Sequence, residues 1–145
     1  MTLKEALLQA RLHADYQPLI QRVPYARTLG MECLKLGDEL VFRLPASQEL
    51  IGNPVLPALH GGAIAGFMEH AAMLHLLIGS EIEHHPKIID FSLDYLRAGL
   101  YRDTFASCQV WRQGRRVANV SITAWQSSRD TAIATARAHF KVDEP

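Results

Sequence analysis

The apolar positions along the chain change period from one segment to the next, and each change marks an element. From Gly61 to about Ile78, eighteen residues without proline and rich in Ala, Leu and Met recur at helical intervals. This spacing predicts one long central helix over 61–78. It is apolar on nearly every side, which implies burial. Gly62, Ala63, Ala65, Gly66, Ala71 and Ala72 would let another backbone layer approach it closely. Ahead of it, MTLKEALLQARLHADYQPLIQ carries Lys4, Glu5, Gln9 and Arg11 among its apolar residues. That stretch predicts an amphipathic helix, an N-terminal extension over residues 1–24.

Elsewhere the period is two. Met31–Leu36 and Glu39–Leu44 flank a Gly37-Asp38 turn signal and predict a first hairpin. In QELIGNPVLPAL, Pro54 and Pro57 lack backbone N–H groups and disfavour helix before them, so regular structure is expected to stop until His60. Everything after Pro86 reads as strand. Phe91, Leu93 and Tyr95 alternate with Ser92, Asp94 and Leu96; Ala118, Val120, Ile122 and Ala124 with Asn119, Ser121 and Thr123; Ala132 to Phe140 with Thr131 to His139. Turn signals at Ala98-Gly99, Gly114 and 127–130 separate them. Strands without intervening helices predict an antiparallel meander, and the whole an α+β domain whose sheet wraps one helix.

Composition narrows the class. A chain of 145 residues, 48% hydrophobic and 21% charged, fits one compact domain over 1–145. Fifteen basic residues balance fifteen acidic ones, so no global field gathers nucleic acid or an anionic membrane. Cys33 and Cys108 are too few and too scattered for a disulfide framework or zinc site. The first helix lacks the apolar core of a signal peptide, and no window of eighteen residues is wholly apolar. The expectation is a cytoplasmic protein that holds any anionic ligand locally.

The motif at the helix start adds chemistry. Leu59-His60-Gly61-Gly62, with Glu69 nine positions after the histidine, sits inside the order hairpin, helix, strands. Together these features, over about residues 28–142, resemble the hotdog-fold acyl-CoA thioesterases of the phenylacetate-degradation (PaaI-like) branch. The resemblance implies hydrolysis of acyl-CoA or aryl-CoA thioesters with no cofactor beyond the coenzyme A carried by the substrate. It places Glu69, Gly61, His60 and Asn53 in the catalytic region, with His60 supporting the glycine geometry. The family position of Glu69 is more often Asp. The family Asn lies six residues before the histidine, whereas Asn53 lies seven before, with Pro54 in the family place.

Physical chemistry agrees with that assignment. Thioester hydrolysis needs donors aimed at a developing oxyanion, and a helix that opens on Gly offers unpaired N–H groups, a positive dipole end and no obstructing Cβ. Gly61 is the candidate donor. Glu69 on an apolar helix surface is expected to be poorly solvated, a setting that suits a carboxylate to general-base or nucleophilic work. Eight residues of helix separate the two by roughly 12 Å, too far for both to serve one carbonyl. An antiparallel second protomer would bring its Glu69 opposite Gly61, giving two equivalent sites in a homodimer. Pairing of dimers into a tetramer stays open.

Arg112, Gln113, Gly114, Arg115 and Arg116 form a predicted hairpin tip suited to bidentate phosphate contact. In the resembled family this region and the strand end with Arg97 meet the nucleotide of coenzyme A. His70, His75, His84 and His85 lack a metal-ligand spacing, so no metal is expected. Trp111 and Trp125 read as core or interface fillers. Two other readings are a hotdog hydratase or dehydratase and a non-catalytic acyl-CoA-binding protein. NPVLPALHGG is similar to the approach to the hydratase site, but there the acid follows the second proline at a much shorter spacing than the twelve residues from Pro57 to Glu69.

Overall fold

The computed structural model describes residues 1–144. Three short helices lead the chain, α1 (Leu3–His13), α2 (Gln17–Gln21) and α3 (Pro24–Leu29), where a single helix was predicted. The breaks are local. Ala14 ends α1 in the left-handed region at φ 53°, and proline opens each of the next two helices, where its missing N–H costs nothing. Thr2 and Glu5 form a reciprocal capping box at the start of α1.

The predicted hairpin follows as β1 (Glu32–Leu36) and β2 (Glu39–Leu44), turned at Gly37 with φ 65°. Regular structure resumes earlier than expected. A 3-10 turn at Gln48–Leu50 leads into β3 (Ile51–Asn53), which pairs antiparallel with β4 (Ala58–Leu59), so the prolines occupy the loop of a small two-stranded ribbon. Then come α4 (Gly61–Gly79), β5 (Lys87–Tyr95), β6 (Thr104–Gln113), β7 (Val117–Trp125) and β8 (Ala134–Lys141).

The main sheet runs β1-β2-β6-β7-β8-β5, antiparallel throughout. Only β6, β7 and β8 form the expected meander. β5 lies at the far edge, paired with β8 alone, and residues 96–103 cross the end of the sheet to reach β6. The Ala98-Gly99 signal marks this crossing rather than a hairpin. Leu59 N–H donates to Gly99 O at 2.8 Å and Tyr101 N–H to Pro57 O at 3.1 Å, which ties the crossing to β4. The approach is close, since a Cβ on Gly99 would stand 2.8 Å from Ile64 Cδ1 on α4 and the Ile64 side chain would have to shift to admit it.

The inward residues are those the alternation selected: Ala118, Val120, Ile122 and Ala124 on β7, and Ala134, Ala136, Ala138 and Phe140 on β8. They close on Phe67, Met68, Ala71, Leu74 and Leu77 of α4. Full burial of each large side chain contributes about 1.5–3 kcal/mol. By length and composition α4 passes as a membrane span, contrary to the sequence reading, but half its apolar window is buried within this protein, as befits a core helix. The leading helices pack on a flank that the sheet leaves open. Arg11 of α1 donates to Leu77 O at 2.6 and 3.1 Å, satisfying a carbonyl of the last turn of α4, and to Ile82 O at 2.5 Å in the loop that follows.

Candidate active site at the start of the central helix

His60 is the N-cap of α4. Its Nδ1 accepts the Gly62 N–H at 2.9 Å, and its carbonyl accepts the N–H groups of Ala63 and Ile64. A neutral ring in that bond carries its hydrogen on Nε2. The His60 N–H donates to Leu50 O at 2.7 Å, so three of the four orphan amides, those of His60, Gly62 and Ala63, are used, and Gly61 N–H has no partner among the described residues. The sequence reading named Gly61 as the donor, and the capping pattern, which engages the Gly62 amide, leaves that N–H free. His60 acts here as a cap.

Gly61 lines a cleft of about 300 Å³ with Leu59, Ile64, Tyr95, Leu96, Arg97 and Gly99. Its floor comes from β4 and the crossing segment and its wall from the end of β5. Tyr95 was read in the sequence only as an inward strand position. Its hydroxyl donates to Gly61 O at 2.6 Å. The sequence carried no signal for it, because the bond depends on where an edge strand ends relative to the helix.

Glu69 lies two turns along α4, half-buried, and makes no side-chain hydrogen bond or ion pair among the described residues. Gly62, Ala65 and Met73, exposed or partly exposed, lie on the same side of α4, and Tyr25 of α3 covers Gly66 beside them. The desolvation expected of Glu69 is therefore only partly supplied by its own chain. Asn53 is exposed and its Oδ1 accepts Val55 N–H at 3.0 Å, the Asx-turn role.

The arginines divide into two places. Arg97 is beside Gly61. Arg112, Arg115 and Arg116 line a larger hollow of about 640 Å³ with Val117, Asn119 and His139. His139 is fixed from both sides, Nδ1 at 2.7 Å from Asp90 Oδ1 and Nε2 at 3.0 Å from Asn119 Nδ2. In register, β8 pairs Ala134 with Tyr95 and Lys141 with Val117, so the hollow and the cleft lie at opposite ends of the sheet. At about 3.3 Å per residue the separation is roughly 23 Å.

The remaining candidates have local roles. His70 Nδ1 bonds Gly66 O at 2.8 Å and His84 Nε2 bonds Asp143 O at 2.9 Å. Burial holds the His75 imidazole below its ordinary pKa, against the opposing pull of Glu39. Among the described residues no three His, Cys, Asp or Glu side chains converge on a metal position. Trp125 is buried between Phe105 and the Arg129 guanidinium, whereas Trp111 is 64% exposed, which excludes the core half of its core-or-interface reading.

Comparison with known proteins places this geometry in a lineage. Residues 56–133 match the model of the thioesterase superfamily. The chain is 30% identical over 138 residues to the medium/long-chain acyl-CoA thioesterase YigI of Escherichia coli K12, across 85% of this chain and 88% of that protein. A solved protein from Chromobacterium violaceum superposes with a TM-score of 0.78 at 42% identity, covering 97% of this chain and 98% of its own. A phenylacetic acid degradation-related protein from Ralstonia eutropha JMP134 shares the fold, with a TM-score of 0.76 at 21% identity over 92% and 98% of the two chains.

Proposed function

The chain belongs to the thioesterase superfamily, a hotdog-fold enzyme of acyl-CoA thioester hydrolysis, and from this we propose how its own residues divide the work. Gly61 N–H receives the developing oxyanion, and Glu69 of the partner subunit activates water or attacks the carbonyl itself. In the water route the carboxylate takes the proton as oxygen bonds to carbon. Collapse of the tetrahedral intermediate breaks the C–S bond, and the proton passes to the departing thiolate.

One observation carries this reading. The only free amide of the α4 first turn and the unpaired carboxylate on its open face are eight residues apart, so neither completes a site alone. A two-fold pairing of protomers along α4 supplies each Gly61 with a Glu69 and buries the open face that leaves Glu69 half-solvated. The same two-fold accounts for the divided arginines. β5 is an unpaired edge, with Ile89 and Tyr95 more than half exposed. Antiparallel juxtaposition of two such edges turns the Arg112–Arg116 end of one protomer toward the Arg97 end of the other. Arg97 and the partner's hairpin then hold the phosphates of one coenzyme A.

The acyl group is apolar. It lies along the α4 face near Met73, in keeping with the medium/long-chain activity named for the Escherichia coli relative. The setting is cytoplasmic, where coenzyme A esters are soluble substrates. Free-thiol release from short, medium, long and aryl acyl-CoA esters tests the reading. Wild type should turn over the apolar esters, and Glu69→Gln should lose several orders of magnitude in kcat. Equal activity in both proteins would remove Glu69 from the chemistry.

A further inference from the structure

The Gly61–Gly62 peptide is gripped at both of its polar ends. Its carbonyl, Gly61 O, accepts the Tyr95 hydroxyl at 2.6 Å, and its N–H, on Gly62, donates to His60 Nδ1 at 2.9 Å. These bonds form one chain through a single planar unit, in which each link polarises the next. The unit that is gripped follows the unit that carries the catalytic candidate, since Gly61 N–H belongs to the His60–Gly61 peptide. Fixing the plane of the second peptide fixes the Gly61 ψ torsion, and with it the approach of the first turn to the cleft.

We propose that Tyr95 is a positioning residue of the hydrolysis: with His60 it clamps the Gly61–Gly62 peptide, so that Gly61 N–H alone stays unpaired and faces the cleft beside Arg97. The proposal rests on the reading of Gly61 as the oxyanion donor.

Two further observations support the clamp. Tyr95 stands at the last pair of β5, opposite Ala134, and the next residues are held by Leu96 N–H and Arg97 N–H donating to Ile133 O at 2.8 and 3.3 Å. The phenol is therefore mounted on a fixed strand end, although the residue as a whole is 54% exposed. In addition, a Cβ on Gly61 would meet Tyr95 Oη at 3.1 Å and Cζ at 3.2 Å. The missing side chain of Gly61 thus admits the clamp as well as a substrate carbonyl. Among the described residues the Tyr95 side chain makes one hydrogen bond, to this carbonyl, and a side chain this exposed contributes little to the core, so its place is better explained by the helix start.

Tyr95→Phe removes only the hydroxyl. The expected result is a kcat about tenfold lower with KM within twofold and an unchanged shape of the pH–rate profile, because the lost interaction acts in the transition state and carries no proton. A double-mutant cycle with His60→Ala should be non-additive, since both residues hold one peptide. Amide hydrogen exchange across Ala63–Ala65 should speed up in Tyr95→Phe with the melting temperature nearly unchanged. A raised KM with unaltered kcat would make Tyr95 a substrate contact instead. Unaltered kinetics and exchange would overturn the clamp outright. If wild type released no thiol from any ester, the thioesterase site would fall, while the exchange experiment would still decide whether Tyr95 holds the helix start.

Discussion

Gly61 and Glu69 share one helix, the first at its opening with a free N–H and the second two turns on with a free carboxylate, roughly 12 Å apart along the axis. Each is poised for one half of acyl transfer, and their rigid separation makes the second half intermolecular.

Reach is then the sensitive quantity. Glu69→Asp shortens the side chain by a methylene and withdraws the carboxylate by about 1 Å or more, a displacement worth on the order of a hundredfold in rate. The account expects kcat to fall by about that factor with little change in KM, read from steady-state thiol release. Full activity in Glu69→Asp would mean that the carboxylate position is not constrained.

The divided arginines make a separate prediction about binding. Arg115→Ala with Arg116→Ala should raise KM for acyl-CoA about tenfold and leave kcat nearly unchanged, since charge-assisted phosphate contacts hold the substrate equally before and at the transition state. The effect should shrink at high ionic strength and vanish for acyl-pantetheine, which has no nucleotide.

Arg11 links the leading helices to the end of α4 through its bonds to Leu77 O and Ile82 O. Its removal in Arg11→Ala leaves those carbonyls short of a charged donor, at a cost of about 1–3 kcal/mol. Thermal unfolding should show a melting temperature lower by several degrees, with kcat on the folded enzyme retained.

Stability should fall at both extremes of pH. Burial pushes the Cys33 thiol from 9.0 up to about 12, and burial raises Cys108 further. A folded pKa above the unfolded one contributes stability that is complete below the unfolded value and is lost as pH rises toward about 12. On the acid side, Asp103 is held below the usual carboxylate range by the Ala46 N–H and by Arg43, and Glu39 by Arg129. Their contribution is present above that range and is lost as pH falls below about 4. Denaturant midpoints across pH should trace both limbs, with Cys33→Ala flattening the alkaline one. Neither thiol should react with a disulfide reagent in the native protein at neutral pH.

Much of this architecture was readable from periodicity. The core faces of β7 and β8 and the whole of α4 follow from residues that alternate or recur under burial on one side, a constraint written directly into side-chain identity. The order of strands was not readable. β5 has the same alternation whether its neighbour is β6 or β8, and only the crossing of residues 96–103 over α4 decides it. The leading segment looked like one helix because its apolar residues continue through Ala14, where the backbone turns left-handed. At the site, His60, Gly61 and Glu69 were legible as a motif. Gly61 was named as the donor there, but the reason that it rather than Gly62 stays free was not legible, because His60 Nδ1 captures the Gly62 amide, and the Tyr95 bond depends on where an edge strand ends relative to a helix.

The central claim, that each site joins Gly61 of one protomer to Glu69 of the other, is tested most directly by mixing two inactive chains, Glu69→Ala and Gly61→Val, with each shown by melting and size to be a folded assembly. Random reassociation makes half the dimers mixed, each with one complete site, so about a quarter of wild-type thiol release should return. If the mixture stays as inactive as its components although mixed dimers have formed, the site lies within a single chain and the account is contradicted.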